Sequence, residues 1–132
     1  MSMKTALRAV RGLVVGAAVV LAPTAMAAGR APTPKECAAH PTNPVVKGGC
    51  IVIDRKTGNC MACHVIAGTK MDGNIGPRLT NLRARFPNKA ALYAQVYDAA
   101  INNPYTAMPP FGKDHILTKA QIREVVDFLW TL

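Results

Sequence analysis

Acidic residues are scarce in this chain of 132 residues: 7 Asp and Glu stand against 16 Lys and Arg, a formal net charge of +9. Aromatic residues are scarce too, with three Phe, three Tyr and one Trp. A domain of about 100 residues buries only a modest core, and so few large side chains leave its interior short of filling. A large apolar cofactor at the centre would relieve that shortage. The basic residues form no Lys/Arg run and do not interleave with aromatics, which argues against a nucleic-acid surface. An acidic patch on a protein partner is the better match for the excess of positive charge. After Ala28 no apolar run is long enough to cross a bilayer. Internal repeats, low-complexity segments and a convincing series of strands are all missing, so the expected class is mainly α.

The one long apolar run lies at the N-terminus. Lys4, Arg8 and Arg11 precede the uncharged stretch Gly12 to Ala22, Pro23 breaks it, and Ala25-Met26-Ala27 offers small residues for a signal peptidase. This reads as a secretory signal peptide over residues 1–27, cleaved after Ala27. The run falls short of the roughly 20 residues of a membrane anchor. Arg8 and Arg11 are not adjacent, so a twin-arginine signal is not supported. Cleavage removes three of the 16 basic residues and no acidic one, leaving +6. The expected location is the periplasm, with no membrane span after cleavage.

Residues 28–46 contain Pro32, Pro34, Pro41 and Pro44 and read as an extended, proline-rich arm. Residues 47–132 form the expected domain. Val45 to Arg55 is apolar and β-branched, ambiguous between helix and strand. Gly68 to Pro77, with three glycines and a proline, is a loop. Asn88 suits the N-cap of a helix running to about Asn102, with Leu92, Val96, Ala99 and Ala100 on one face. Tyr105 to Asp114 is another loop. Thr118 and Gln121 make a capping box for a last helix, where Ile122, Val125, Val126, Leu129 and Trp130 repeat at helical spacing.

Cys60-Met61-Ala62-Cys63-His64 has the pattern of a c-type haem attachment site. Two thiols three positions apart can add to the two vinyl groups on one porphyrin edge. The residue directly after the second thiol is then held below the ring, where its imidazole can reach the iron. An export signal fits, because haem of this type is attached outside the cytoplasm. A thioredoxin-like Cys-x-x-Cys would need a βαβ context, which is missing. Four thiolates from Cys37, Cys50, Cys60 and Cys63 could in principle hold zinc, but Cys37 and Cys50 lack the usual close spacing. One covalent haem c is the expected cofactor, and the backbone carbonyl of Pro77 is the expected partner for the outer nitrogen of His64.

Candidates for the second axial ligand are Met61, Met71, Met108, His40 and His115. Met61 lies inside the attachment loop, and Met71 follows His64 closely in a glycine-rich loop. Met108 precedes Pro109 and Pro110, which favour an extended conformation and stiffen its loop. It is the preferred ligand, with His115 the alternative. His/Met ligation fills both axial positions and suits one-electron transfer. Cys37 and Cys50, an even pair in an oxidising compartment, suggest a disulfide, with two free thiols the alternative.

Gly58 to His64, Gly73-Asn74-Ile75-Gly76-Pro77-Arg78-Leu79, Asn103 to Gly112, and Ile116 to Leu129 together resemble the SoxX family. The Met108-Pro109-Pro110-Phe111-Gly112 stretch is the most specific part, and the arm lies outside the match. SoxX is the monohaem cytochrome subunit of the thiosulfate-oxidising complex SoxAX. The resemblance implies a class I cytochrome c fold, a small helical domain wrapped around one covalent haem, with His64 and Met108 as axial ligands. It also implies a heterodimer with a SoxA-like cytochrome subunit, contact with the carrier protein SoxY through that complex, and a soluble cytochrome c as electron acceptor. In that family the complex joins thiosulfate oxidatively to a carrier-protein cysteine, an L-cysteine S-thiosulfotransferase activity. The catalytic cysteine is expected in SoxA, and no catalytic residue in this chain. A free-standing periplasmic electron carrier for another oxidase or dehydrogenase is the alternative reading.

Overall fold

The computed structural model describes residues 29–132, so the signal peptide expected over 1–27 lies outside the described residues. The ambiguous apolar stretch is a helix, α2, Pro44–Ile53. The Asn43 side chain starts it, its Oδ1 accepting from the Val45 and Val46 N–H groups at 3.0 and 3.1 Å. Pro44 at the first helical position supplies a pre-set φ where no N–H is needed. The β-branched side chains of this stretch favour a strand by propensity, but packing overrides that preference. Val46, Gly48, Gly49 and Val52 are buried on one face.

That face meets α5, Lys119–Leu129, the last helix. The capping box is formed: the Gln121 N–H donates to Thr118 Oγ1 at 3.2 Å, and the Thr118 N–H to Gln121 Oε1 at 2.8 Å. Ile122, Val125, Val126, Phe128 and Leu129 are buried. The α2–α5 pair is the most extensive helix contact among the described residues. Gly48 lies directly against the α5 backbone, and a Cβ there would sit 1.8 Å from the Glu124 carbonyl oxygen. An ion pair between Lys47 and Glu124 flanks the crossing.

Between these helices lie α3, Leu82–Arg85, and α4, Lys89–Tyr97. Asn88 caps α4, accepting from the Ala91 N–H at 2.9 Å, and Lys89 pairs with Asp127 on α5 at 2.6 Å. The helix expected to reach Asn102 ends earlier. Asp98 takes an extended conformation, and its carboxylate accepts from the Ala100 N–H to start a separate 3₁₀ turn, Ala99–Ile101. A side chain that can cap has interrupted a pattern whose apolar spacing continued. The described residues contain no strand beyond one isolated parallel bridge between Ile66 and Leu79. The fold is mainly α.

The arm is not extended throughout. Pro34–Ala39 is a helix, α1. Pro34 occupies its first turn, where proline is tolerated. Thr33 and Glu36 form a capping box, the Thr33 N–H donating to Glu36 Oε2 at 2.7 Å. Proline count alone suggested an arm; the position of Pro34 relative to Thr33-x-x-Glu36 decides for a helix. A disulfide between Cys37 and Cys50 joins α1 to α2. Ala31 and Pro32 are buried, and the Ala31 N–H donates to the Ala67 carbonyl at 2.7 Å. The segment is thus tied to the domain at Ala31, Pro32 and the disulfide, and the boundary expected between 46 and 47 falls inside α2.

Gly48→Ala should destabilise the protein by about 1–3 kcal/mol, the usual cost of overpacking. Chemical denaturation of the holoprotein measures this, and an unchanged midpoint would contradict the backbone contact. At the α1 cap, hydrogen bonding from the Arg30 guanidinium, then from Thr33, lowers the Glu36 pKa to about 2. A depressed carboxyl pKa stabilises the fold above the ordinary value of 4.5, and the contribution disappears as pH falls through about 2. The pair is exposed and the effect small. An NMR titration should place the Glu36 carboxyl well below the ordinary glutamate value of 4.5.

Candidate functional site

The attachment motif leaves α2 through a tight turn. The Gly58 N–H donates to the Ile51 carbonyl at 3.1 Å, and Asn59 takes a left-handed conformation with φ +47°. Asn tolerates that region better than most residues. The chain then enters a short 3₁₀ turn, Cys60–Ala62, and the His64 N–H donates to the Cys60 carbonyl at 3.0 Å. Cys60 and Cys63 are free thiols that line one cavity, together with His64.

A glycine-rich loop laces itself to this turn. The Gly73 N–H donates to the Met61 carbonyl and the Gly76 N–H to the Cys63 carbonyl, both at 2.8 Å, and the Leu79 N–H reaches the Val65 carbonyl at 3.0 Å. The lacing brings the Pro77 carbonyl to 2.6 Å from His64 Nδ1. A carbonyl oxygen only accepts, so Nδ1 carries the proton and the Nε2 lone pair is free. Gly76 lies against the imidazole itself, where a Cβ would stand 2.3 Å from Cε1. Sequence reading assigned no such role to Gly76, because a Gly-Pro turn carries no mark of what packs upon it.

Met108 reaches the same cavity from the loop between α4 and α5. Its N–H donates to Thr106 Oγ1 at 3.1 Å, and Phe111, three residues on, is buried. Of the five axial candidates, Met108 alone lines the cavity; Met61, Met71, His40 and His115 do not. His115 is exposed on a turn with φ +57°.

The cavity measures about 800 Å³, in the range of small-molecule and cofactor sites. Its walls are mainly apolar, with Leu82, Leu92, Val96, Val125 and Leu129 contributed by α3, α4 and α5. Desolvation by burial, with Cys63 nearby, pushes the Cys60 thiol up to about 12. Cys60 has partial surface exposure, which is compatible with a thiol facing an open cavity but packed densely on its other sides. A thioredoxin-like redox pair would sit in a βαβ unit, and the described residues around Cys60 and Cys63 form none. Zinc held by four thiolates is ruled out by the Cys37–Cys50 disulfide. A mainly apolar chamber with two thiols, an imidazole with a free Nε2 and a thioether fits a covalent haem.

Gly76→Ala should displace the His64 ring or the loop. The expected outcome is a lower proportion of haem-loaded protein and a stability loss of about 1–3 kcal/mol, read by haem stain after denaturing electrophoresis and by denaturant unfolding. Wild-type loading and stability would show that Gly76 has room to spare.

The family model for cytochrome c oxidase, cbb3-type, subunit III matches residues 55–129. No curated protein matches the chain. The matched segment covers more than half of the chain and contains the attachment motif, the Pro77 loop, Met108 and all of α5. The chain belongs to this family of cytochrome c domains, electron-transfer proteins with covalently bound haem c.

Proposed function

We propose that this cytochrome c is a periplasmic, monohaem electron-transfer subunit, the SoxX-like member of a SoxAX-type thiosulfate-oxidising complex. The observation that carries its electron-transfer half is one cavity lined by Cys60, Cys63, His64 and Met108. Haem c bound there supplies a one-electron couple at its iron. Cys60 and Cys63 would anchor it by thioether bonds. His64 would offer Nε2 to the iron, while its Nδ1–H donates to the Pro77 carbonyl, which fixes the tautomer and ring orientation. Met108, on its proline-stiffened loop, would supply a thioether as the second protein ligand to the iron. A haem held on both sides by this chain would carry electrons without activating a bound substrate.

The sulfur chemistry is assigned to a SoxA-like partner. All four cysteines have other duties: Cys37 and Cys50 are joined, and Cys60 and Cys63 belong to the attachment motif. No nucleophilic thiol remains for a thiosulfate-transfer step. This chain would accept the electrons released when thiosulfate is joined to a carrier cysteine on SoxY and pass them to a soluble cytochrome c. The resemblance of the Met108 to Gly112 stretch supports this placement. The second reading is a free-standing carrier serving an oxidase or dehydrogenase; the matched family's link to an oxidase supports service to an oxidase, without bearing on whether the carrier stands free.

Native purification from cells grown on thiosulfate separates the two. The SoxAX reading expects a second haem-stained chain to co-purify in constant proportion, and a lone monomer supports the free carrier. For the ligands, Met108→Ala should abolish the red-edge charge-transfer band of ferric thioether-ligated haem and let the ferrous protein bind carbon monoxide. Persistence of that band would remove Met108 from the iron.

A further inference from the structure

Asp98 is the one buried charged residue among the described residues, and the proposed electron transfer does not use it. It stands where the Met108 loop both leaves and returns. On the outgoing side, Asp98 Oδ1 accepts from the Ala100 N–H at 3.1 Å. This starts the 3₁₀ turn, whose Ala99 carbonyl accepts from the Asn102 and Asn103 N–H groups, both at 3.1 Å. On the returning side, Lys113 Nζ lies 3.3 Å from Asp98 Oδ2, and the Gly112 and Lys113 N–H groups donate to the Tyr97 carbonyl at 3.0 and 3.2 Å. Gly112 is packed on the Tyr97 ring, where a Cβ would sit 2.0 Å from Cδ2. Both ends of the loop therefore meet on residues 97–99. Between them the chain is stiff: Pro109 and Pro110 follow Met108, the Met108 N–H is tied to Thr106, and Phe111 is buried. In a closed loop of this kind, what holds the ends also holds the tip.

From this geometry we infer that Asp98 is a positioning residue for Met108: its two carboxylate oxygens clasp the outgoing and returning ends of the loop that carries the thioether to the cavity. The inference rests on the haem reading above. The two oxygens do separable jobs. The cap at Oδ1 is one that Asn can also perform, whereas the pair at Oδ2 needs charge on both sides. Lys113 is exposed, so the pair by itself contributes little. Removal of the whole Asp98 carboxylate frees both ends at once. With the clasp released, the loop opens more often, and the thioether leaves its place in the cavity for a larger fraction of the time. A small added ligand of the iron competes for that place, and its apparent affinity rises in proportion to the open fraction.

The test uses the haem-loaded protein, with imidazole as the competing ligand of the ferric iron. Asp98→Ala should raise the imidazole affinity about tenfold, the effect of losing a cap and an ion pair together. Asp98→Asn, which keeps the cap, and Lys113→Met, which keeps the apolar stem, should each raise it about threefold. Lys113→Arg should match wild type. Hydrogen exchange at the Gly112 and Lys113 amides should quicken in the same order. The denaturation midpoint is measured alongside. A lowered midpoint in Asp98→Ala with unchanged imidazole affinity would reduce Asp98 to a structural residue and overturn the assignment. Faster amide exchange without tighter imidazole binding would overturn it too. Should Asp98→Ala fail to fold, Lys113→Met against Lys113→Arg decides by imidazole affinity alone. Haem stain and the charge-transfer band are recorded on wild type. Their presence with unchanged affinities in the variants discards Asp98 alone, and their absence discards the haem reading itself.

Discussion

The close crossing of α2 and α5 at Gly48 is the contact on which the rest of the structure depends. A missing side chain there lets two helix backbones touch, and dispersion and burial then act across the whole interface. The consequence extends beyond stability. The turn after α2 carries Cys60, Cys63 and His64, whereas α5 contributes Val125 and Leu129 to the opposing apolar wall. Seating one helix on the other therefore places both the attachment turn and part of the cavity wall. The Cys37–Cys50 disulfide extends the same arrangement outward, holding α1 to α2.

His64 depends on a second layer of constraint. Its ring is not positioned by the motif alone, which supplies only the chain direction and the flanking thiols. The glycine-rich loop, tied to the motif through the Met61, Cys63 and Val65 carbonyls, brings one acceptor to Nδ1 and one bare backbone to the ring face. The acceptor selects the tautomer, and the absence of a Cβ at Gly76 leaves space for the imidazole. Hydrogen bonding and steric fit thus act on the same side chain from one loop.

The chemistry of the cavity is set as much by what it keeps neutral as by what it charges. Burial pushes the Cys60 thiol pKa up, whereas in thiol-redox sites helix ends or cations lower it. Charge enters the lining only as arginine.

Local patterns alone specified the capping boxes, the amphipathic α5, the attachment pentapeptide and the stiff Met108-Pro109-Pro110 loop, because each is written in neighbouring residues. The fit of Thr33-x-x-Glu36 to a helix was equally local, yet the surrounding prolines obscured it, since proline reads differently at a first turn and in a helix interior. Tertiary structure decided the rest. It made a β-branched stretch helical by burying one face of α2, and it let Asp98 end α4 by capping a turn of its own. It also placed Met108 alone among five axial candidates on the cavity, and set Gly76 and Arg85 against the site. These outcomes depend on segments distant in the chain meeting in space, and no spacing within one segment records which partner it will meet.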